Sequence, residues 1–517
     1  VHDNVATGAD LARGGGIYSH AGRLNLTASS VVRNRALADG DNSVTARGGG
    51  IYSSGPVTLV GSTVGSNRAS AISSAASALA SGGGVFDKAG AVKLTSSHVD
   101  GNRVLAKGMN DQYAYGGGLY DATTSPLTIA GSTLSGNSVT SIEGASGTAL
   151  SRGGSIFVSV TTATVFGSKF LANRAIGTSA SGLSEVRGGA VFVAATKTTV
   201  TSTRVAGSLL FAYGPMGANA DGGGIFIQSG TLAVTGSSVT TGTVDARAVG
   251  PATADCGGIY QGAAELLTLS RSTLDRNHLS ADSGADEANT FGAGACAGGP
   301  VTVTASTVSR NTGLAKAADA VARARAAGLY LTSSTDQGTI TNSTIAGNVV
   351  TAKETGTGSI KPFGAGIDTL MSGLELTAVT VAGNKVAGTG TPSFPPSGAG
   401  IFVEGGAATL EGTILARNTA QAAEADCVGT VNSNGHNLVQ KAPALCAFTK
   451  KPSDKTNVDP KLGPLQPNGG PTETMAIAAT SPALDAMPAA ACVVTKDQRG
   501  VHRPQGAGCD IGAYERT

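Results

Sequence analysis

"RGGGIYSS" at residues 47–54 shares its outline with "RGGGIYSH" at 13–20, "SGGGVFDK" at 81–88 and "YGGGLYDA" at 115–122. The motif returns with its first position at Gly153, Gly188, Gly222, Cys256, Gly292, Ala326, Gly364 and Gly398, making twelve copies spaced 34–38 residues apart. A period of this length marks a repeat architecture, in which each unit buries its apolar face against the next. Counting the first glycine as position one, position four is aliphatic in every copy, from Ile17, Ile51 and Val85 to Ile367 and Ile401. A position that is aliphatic every time faces a shared interior.

A second signal follows about twenty residues later: "GSTVGSN" at 61–67, "GSTLSGN" at 131–137, "ASTVSRN" at 305–311 and "NSTIAGN" at 342–348. An aliphatic stands three residues before the Ser/Thr, as Leu59, Ile129 and Val303 do, and a small aliphatic such as Ala36 or Val104 follows two residues past the Asn. Val, Ile and Thr at alternate positions favour strand over helix. Each repeat therefore contains three short strands: the glycine strand, the strand leading to the Ser/Thr, and a brief one after the Asn. The 10–13 variable Ala/Ser/Gly residues between repeats are expected as loop. One strand per side and three sides per repeat predict an all-β chain, a right-handed parallel β-helix of about twelve coils. A leucine-rich repeat would need L-x-x-L-x-L, and a propeller would need four strands per blade.

In such a stack each residue sits on its own copy at about 4.8 Å. The Asn positions, Asn34, Asn67, Asn102, Asn137, Asn173, Asn277, Asn311, Asn348, Asn384 and Asn418, are then expected to form an amide ladder. Ser208 and Gly242 interrupt it. Glycines serve where the backbone takes unusual dihedrals or is approached closely.

Composition narrows the function classes. Among 517 residues, 36 Lys+Arg nearly balance 34 Asp+Glu, and a net charge of +2 provides no global field for steering nucleic acid or anionic membranes. No run of about 18 apolar residues is present, so no membrane span is expected. The chain opens at "VHDN" and reads as processed or trimmed. Six cysteines without a C-x-x-C fit disulfides in an oxidising compartment. Cys256 and Cys296 lie in adjacent coils at positions one and five. That offset is roughly 13 Å along a strand, beyond disulfide reach, so they are expected as free or locally rearranged thiols.

The period stops after Asn418, which divides the chain into a repeat domain, 1–418, and a C-terminal region, 419–517. This region carries "NGGPT", "SPALDA", "DQRGVHRP" and "DIGAYE" in that order. It resembles the C-terminal region of bacterial β-helix proteins with a choice-of-anchor Q domain. The repeats, in turn, resemble those of polymorphic outer membrane proteins. The resemblance implies an exported bacterial surface protein, extracellular or on the cell surface, and supplies no catalytic residues. Physically the region should cap the open strand edge of the coil. Four of its cysteines allow three connectivities. Cys427 with Cys446 and Cys492 with Cys509 would staple two short loops. Arg499, Arg503, Asp497, Asp510 and Glu515 read as a polar network holding the cap.

Position five is aromatic in ten coils: Tyr18, Tyr52, Phe86, Tyr120, Phe157, Phe192, Phe226, Tyr260, Tyr330 and Phe402. Strand alternation puts it opposite the aliphatic. An open ladder of this kind could stack sugars; a covered one would pack ring on ring beneath the loops, and the apolar neighbours favour covered rings. A polysaccharide lyase or glycoside hydrolase on the same scaffold would need clustered carboxylates. Asp87 and Asp121, stacked at position six, are expected as solvated strand ends. "DSGADE" at 282–287 is expected as a charged loop tip, with Ca²⁺ the one cofactor left open. The six histidines show no motif spacing. Three classes remain: a structural or adhesive surface solenoid, a carbohydrate-active or polysaccharide-binding protein, and a self-assembling fibre subunit. The first is the reading adopted, with an extracellular polymer, another surface or a second copy as partner, met along the solenoid face or at an open N-terminal end.

Overall fold

The computed structural model describes residues 1–517 apart from Ala264, Phe394 and Ala422 and the side chains of Ala263 and Glu424. The chain is almost entirely β, with parallel strands stacked as a β-solenoid whose turn recurs about twelve times. Ile51 pairs with Ile17 on one side and Val85 on the other, and Val85 pairs in turn with Leu119. Like residues therefore occupy neighbouring rungs of one sheet.

One turn shows how the coil is built. Its first face carries Ile51–Ser53 and Val57–Val60, its second Thr63–Gly65, its third Arg68–Ser73 and its fourth Ala78–Ser81. Four faces replace the three expected, and the variable stretch is not loop. It supplies most of the third face and all of the fourth. Small residues at alternate positions, Ala69, Ala71, Ala78 and Ala80, point inward and are fully buried. Their outward neighbours vary freely, which hid the strand period from the sequence. The interior is completed by Ile51, Val57, Leu59 and Val64, all fully buried. Each side chain of this size contributes roughly 1.5–3 kcal/mol on burial.

Left-handed corners mark three of the four junctions between faces. Gly48 (φ 67°) turns the fourth face into the first, Gly61 (φ 55°) the first into the second, and Ser66 (φ 54°) the second into the third. The three glycines of the motif have three different causes. Gly48 takes the left-handed conformation. A Cβ on Gly49 would lie 2.4 Å from the Gly83 carbonyl oxygen and 2.3 Å from the Arg68 carbonyl carbon. A Cβ on Gly50 would lie 2.8 Å from the Asn67 amide. The Asn follows the corner, and its side chain ties one rung to the next.

The chain divides into two units: Val1–Leu232 with Ser238–Tyr260 and Ser280–Ala288, and Ala233–Ser237 with Gln261–Leu279 and Asn289–Thr517. In the second unit, strands continue past Asn418. Cys427–Gly435 and Cys446–Thr449 add rungs to the first face, and Leu438–Val439 and Lys455–Thr456 add rungs to the second. Beyond them, the segment from Leu462 to Thr517 lies on the outer side of the second face. Met475, Ile477, Met487 and Ile511 pack there with Ala346, Ala382, Ile414 and Ala416. The C-terminal region thus covers a lateral face as well as extending the coil.

No cysteine is free. Cys427 bonds Cys446 (Cα–Cα 5.3 Å) and Cys492 bonds Cys509 (5.7 Å). Cys256 and Cys296 are also disulfide-bonded, against the expectation of thiols. That expectation assumed an extended strand from position one to position five. The left-handed corner folds the first position back on the fifth: a Cβ on Gly292 would lie 2.5 Å from Cys296 Sγ. Cys256 itself adopts that corner conformation (φ 57°).

Candidate functional site

The Asn ladder sets the start of the third-face strands in ten rungs; Ser208 and Gly242 take its place before Leu209 and Thr243. In the first unit Asn34 donates to Asn67 Oδ1 (3.1 Å), Asn67 to Asn102 (3.0 Å), Asn102 to Asn137 (3.0 Å) and Asn137 to Asn173 (3.2 Å). In the second, Asn277, Asn311, Asn348, Asn384 and Asn418 continue the pattern at 2.9–3.0 Å. All ten are fully buried. The residue after each Asn is the first of its third-face strand and faces outward.

In the first unit that outward residue is Arg35, Arg68, Arg103, Ser138 and Arg174 on successive rungs. All four arginines are exposed. Two positions further along the strands stand Leu37, Ser70, Leu105, Thr140 and Ile176. The short pair Ser138 and Thr140 thus falls between the long pairs Arg103/Leu105 and Arg174/Ile176. A groove of about 590 Å³ opens there, lined by Arg68, Arg103, Arg174, Leu105, Ile176 and the Ser138 rung, with no acidic residue in its lining.

No described carboxylate forms an ion pair with Arg35, Arg68, Arg103 or Arg174. Arg68 reaches only Ser70 Oγ, at 3.4 Å. Partial burial, then the charges of Arg35 and Arg103, lower its pKa. The nearest turn holds Asp100, which is engaged by the Ser135 hydroxyl (2.7 Å) and by His98 (3.4 Å). Adjacent guanidinium groups about 5 Å apart repel by roughly 1 kcal/mol even in bulk water. The column is therefore a run of exposed positive charge to which no described carboxylate is ion-paired. Sequence reasoning passed over it, although "NR" recurs at 34–35, 67–68, 102–103 and 173–174.

The aromatic ladder is a different object. In the first unit the rings from Tyr18 to Tyr260 stack with centroids 4.4–5.2 Å apart. Arg13, Arg47, Arg152 and Arg187, each ending a fourth-face strand, lie over Tyr52, Phe86, Phe192 and Phe226 at 5.3–5.7 Å. Tyr52 is 1% exposed and Tyr18 48%. The guanidinium groups roof the four buried rings Tyr52, Phe86, Phe192 and Phe226, while Tyr120, Phe157 and Tyr260 are half-buried and Tyr18 is exposed. In the second unit Arg325 lies over Tyr330 (5.3 Å) and Phe402 (6.0 Å), and Phe402 stacks on Phe363. A second basin of about 500 Å³ opens beside them. Its Arg325 is bound to Asp368 (2.7 Å) and Glu404 (2.9 Å), so that charge is spent within the protein.

Asp87 and Asp121 are not solvated strand ends. Position four points inward, five outward and six inward again, so both carboxyls enter the core and are 1% and 0% exposed. They sit on paired rungs. Asp121 accepts the Thr123 amide (3.2 Å), whereas neither oxygen of Asp87 has a partner in hydrogen-bonding geometry. Burial, then the Asp121 charge, push Asp87 up to about 8, with only weak opposition from the Ala89 amide. Burial raises Asp121 to about 7 against its bonds to Thr123.

Among the described residues no group of three or more His, Cys, Asp or Glu is placed to hold a metal ion. The turn at 282–287 is closed by Ser283, whose hydroxyl accepts the Asp286 amide (3.0 Å) and donates to the Gly250 carbonyl (2.7 Å). The C-terminal charges knit loops together. Arg499 donates to Asp497 (2.8 Å), Arg503 donates to the carbonyls of Asp510 (2.5 Å) and Gly512 (2.6 Å), and Glu515 accepts the amides of Gln505 and Asp510 (2.9 Å each). Among the described residues no helix is long and apolar enough to cross a membrane. Compared with protein-family models, curated proteins and solved structures, the chain finds no match.

Proposed function

We propose that the chain is a structural and adhesive β-solenoid of an oxidising, extracytoplasmic setting, holding the third face of its first unit toward an extracellular polymer. The observation that carries this reading is the unpaired arginine groove, a solvent-facing charge kept in register by the Asn ladder beside it. Cysteines that are all bonded support the compartment. The C-terminal phrases "NGGPT" and "DIGAYE" support a place among exported bacterial surface proteins of the choice-of-anchor Q type. The carbohydrate-active alternative is weaker, because its stacked carboxylates, Asp87 and Asp121, lie inside the coil where no glycan reaches.

The test is retention. The oxidised chain is passed over immobilised cell-envelope and matrix polymers, and the bound fraction and any cleavage products are measured. Retention without turnover is expected. Failure to bind any polymer, or release of oligosaccharide fragments, would sink the reading.

A further inference from the structure

The adhesive reading leaves the polymer open; the groove's chemistry narrows it. Its cations stand on Arg68 and Arg103, one rung or about 4.8 Å apart, and on Arg174, which the uncharged Ser138 rung sets two rungs, roughly 10 Å, from Arg103. A ligand that matches this pattern carries its acid groups at regular intervals along a line parallel to the stacking direction. Between the cations the floor is the hydroxyl-bearing Ser138 and Thr140, flanked by Leu105 and Ile176. Hydroxyls and aliphatic carbons side by side suit the polar edges and C–H faces of sugar rings. No aromatic side chain lines the groove. Single-stranded nucleic acid, which is held by base stacking on aromatic rings, is therefore poorly served. The volume of about 590 Å³ is that of a site for a small organic unit rather than a lone inorganic ion.

We propose that this groove binds a linear acidic polysaccharide, with carboxylates or sulfates of successive sugars on Arg68, Arg103 and Arg174 and one ring seated over the Ser138 rung. The inference rests on the adhesive reading and adds the class of polymer. Arg35 extends the same line by one rung, so affinity grows with chain length as further acid groups engage. Screening by salt weakens the contact, because the guanidinium groups are exposed.

The experiment uses the full oxidised chain in affinity electrophoresis and titration calorimetry with polygalacturonate, dextran sulfate, neutral dextran and poly(dT). Binding to polygalacturonate or dextran sulfate is expected, the preferred one identifying carboxylate or sulfate as the acid group. R103A/R174A should weaken it at least tenfold. R204A/R271A, which removes equal charge elsewhere, should leave it within twofold. Ser138→Tyr, which fills the notch without changing charge, should also weaken it. Circular dichroism checks that each variant keeps its strands. Equal losses in both arginine pairs, wild-type binding by Ser138→Tyr, or poly(dT) binding as tight as the glycan would each overturn the proposal. Retention by a neutral polymer, indifferent to the arginines, would overturn it while leaving adhesion standing. Binding to nothing would overturn both.

Discussion

Asp87 shows what an inward acid does in a column of aliphatic residues. The native carboxyl, raised to about 8, keeps a proton that the unfolded chain releases near pH 4. Between those values the native state binds more protons, so stability falls as pH rises from about 4 to about 8. Asp87→Asn removes the titrating group and keeps the shape. Urea midpoints should then be nearly equal for the two proteins at pH 4 and should diverge by pH 8, the variant being more stable by a few kcal/mol. Parallel pH profiles would show that the carboxyl is solvated after all. The glycines supply a second contrast at this scale. Gly49→Ala drives a methyl into the Arg68 and Gly83 backbones, and should cost about 3 kcal/mol or more. Gly61→Ala meets no atom within 4 Å and should cost only the left-handed penalty, about 1–2 kcal/mol. Comparison of their denaturation midpoints checks the assignment of steric and torsional causes.

At the scale of the element, the Asn ladder joins a corner to its neighbours above and below. Asn102 accepts the Asn67 amide (3.0 Å) and donates to the Val64 carbonyl (2.8 Å). Asn102→Ala leaves both buried and unpaired, a loss of roughly 2–5 kcal/mol. Hydrogen exchange should rise at residues 64–68 and 99–104 and not at the Asn277–Asn418 rungs, because stacked repeats are coupled mainly to their neighbours. A uniform rise across the chain would contradict a ladder that acts rung by rung. These columns were legible because the same residue recurs at the same place. The third and fourth faces were not, because Ala69, Ala71, Ala78 and Ala80 fill the interior with residues common in loops, while a single outward position changes from Ser70 to Leu105 to Ile176 along the stack. Asp87 was misplaced because position six was taken as the end of a strand rather than the next inward step. Cys256 was misjudged because a corner was measured as a straight line. The arginine groove was missed because its depth comes from one short rung, Ser138 and Thr140, and a cavity made by a gap leaves no recurring letter to find.

At the scale of the whole molecule, a stacked coil has few contacts that skip rungs, and the C-terminal segment of the second unit provides them. Thr472 Oγ1 donates to the Ala305 carbonyl (3.2 Å), Gln498 binds Thr307 (2.9 Å) and Thr344 (2.6 Å), and the Ala513 amide donates to Thr380 Oγ1 (3.1 Å). One strap thus spans the rungs at Thr307, Thr344 and Thr380, and Gly512 closes against Ile414 on the next. The Cys492–Cys509 bond shortens the strap's loop, which limits the freedom it has when undocked. Gln498 is the central peg, buried and bonded at both ends of its amide. Gln498→Leu keeps most of the volume but strands the Thr344 donor and takes the amide away from Thr307 and Thr472, whose hydroxyls still donate to the Glu473 and Ala305 carbonyls, so docking should weaken by roughly 1–3 kcal/mol. Limited proteolysis of that variant, with and without reductant, reads the effect. Cleavage between Asn457 and Thr517 should accelerate, most of all after reduction, while the coils up to Asn418 stay intact because their ladders do not depend on the strap. Cleavage that starts within the coils at the same rate would mean that the strap is part of the stack's own cooperativity rather than a brace laid along its side.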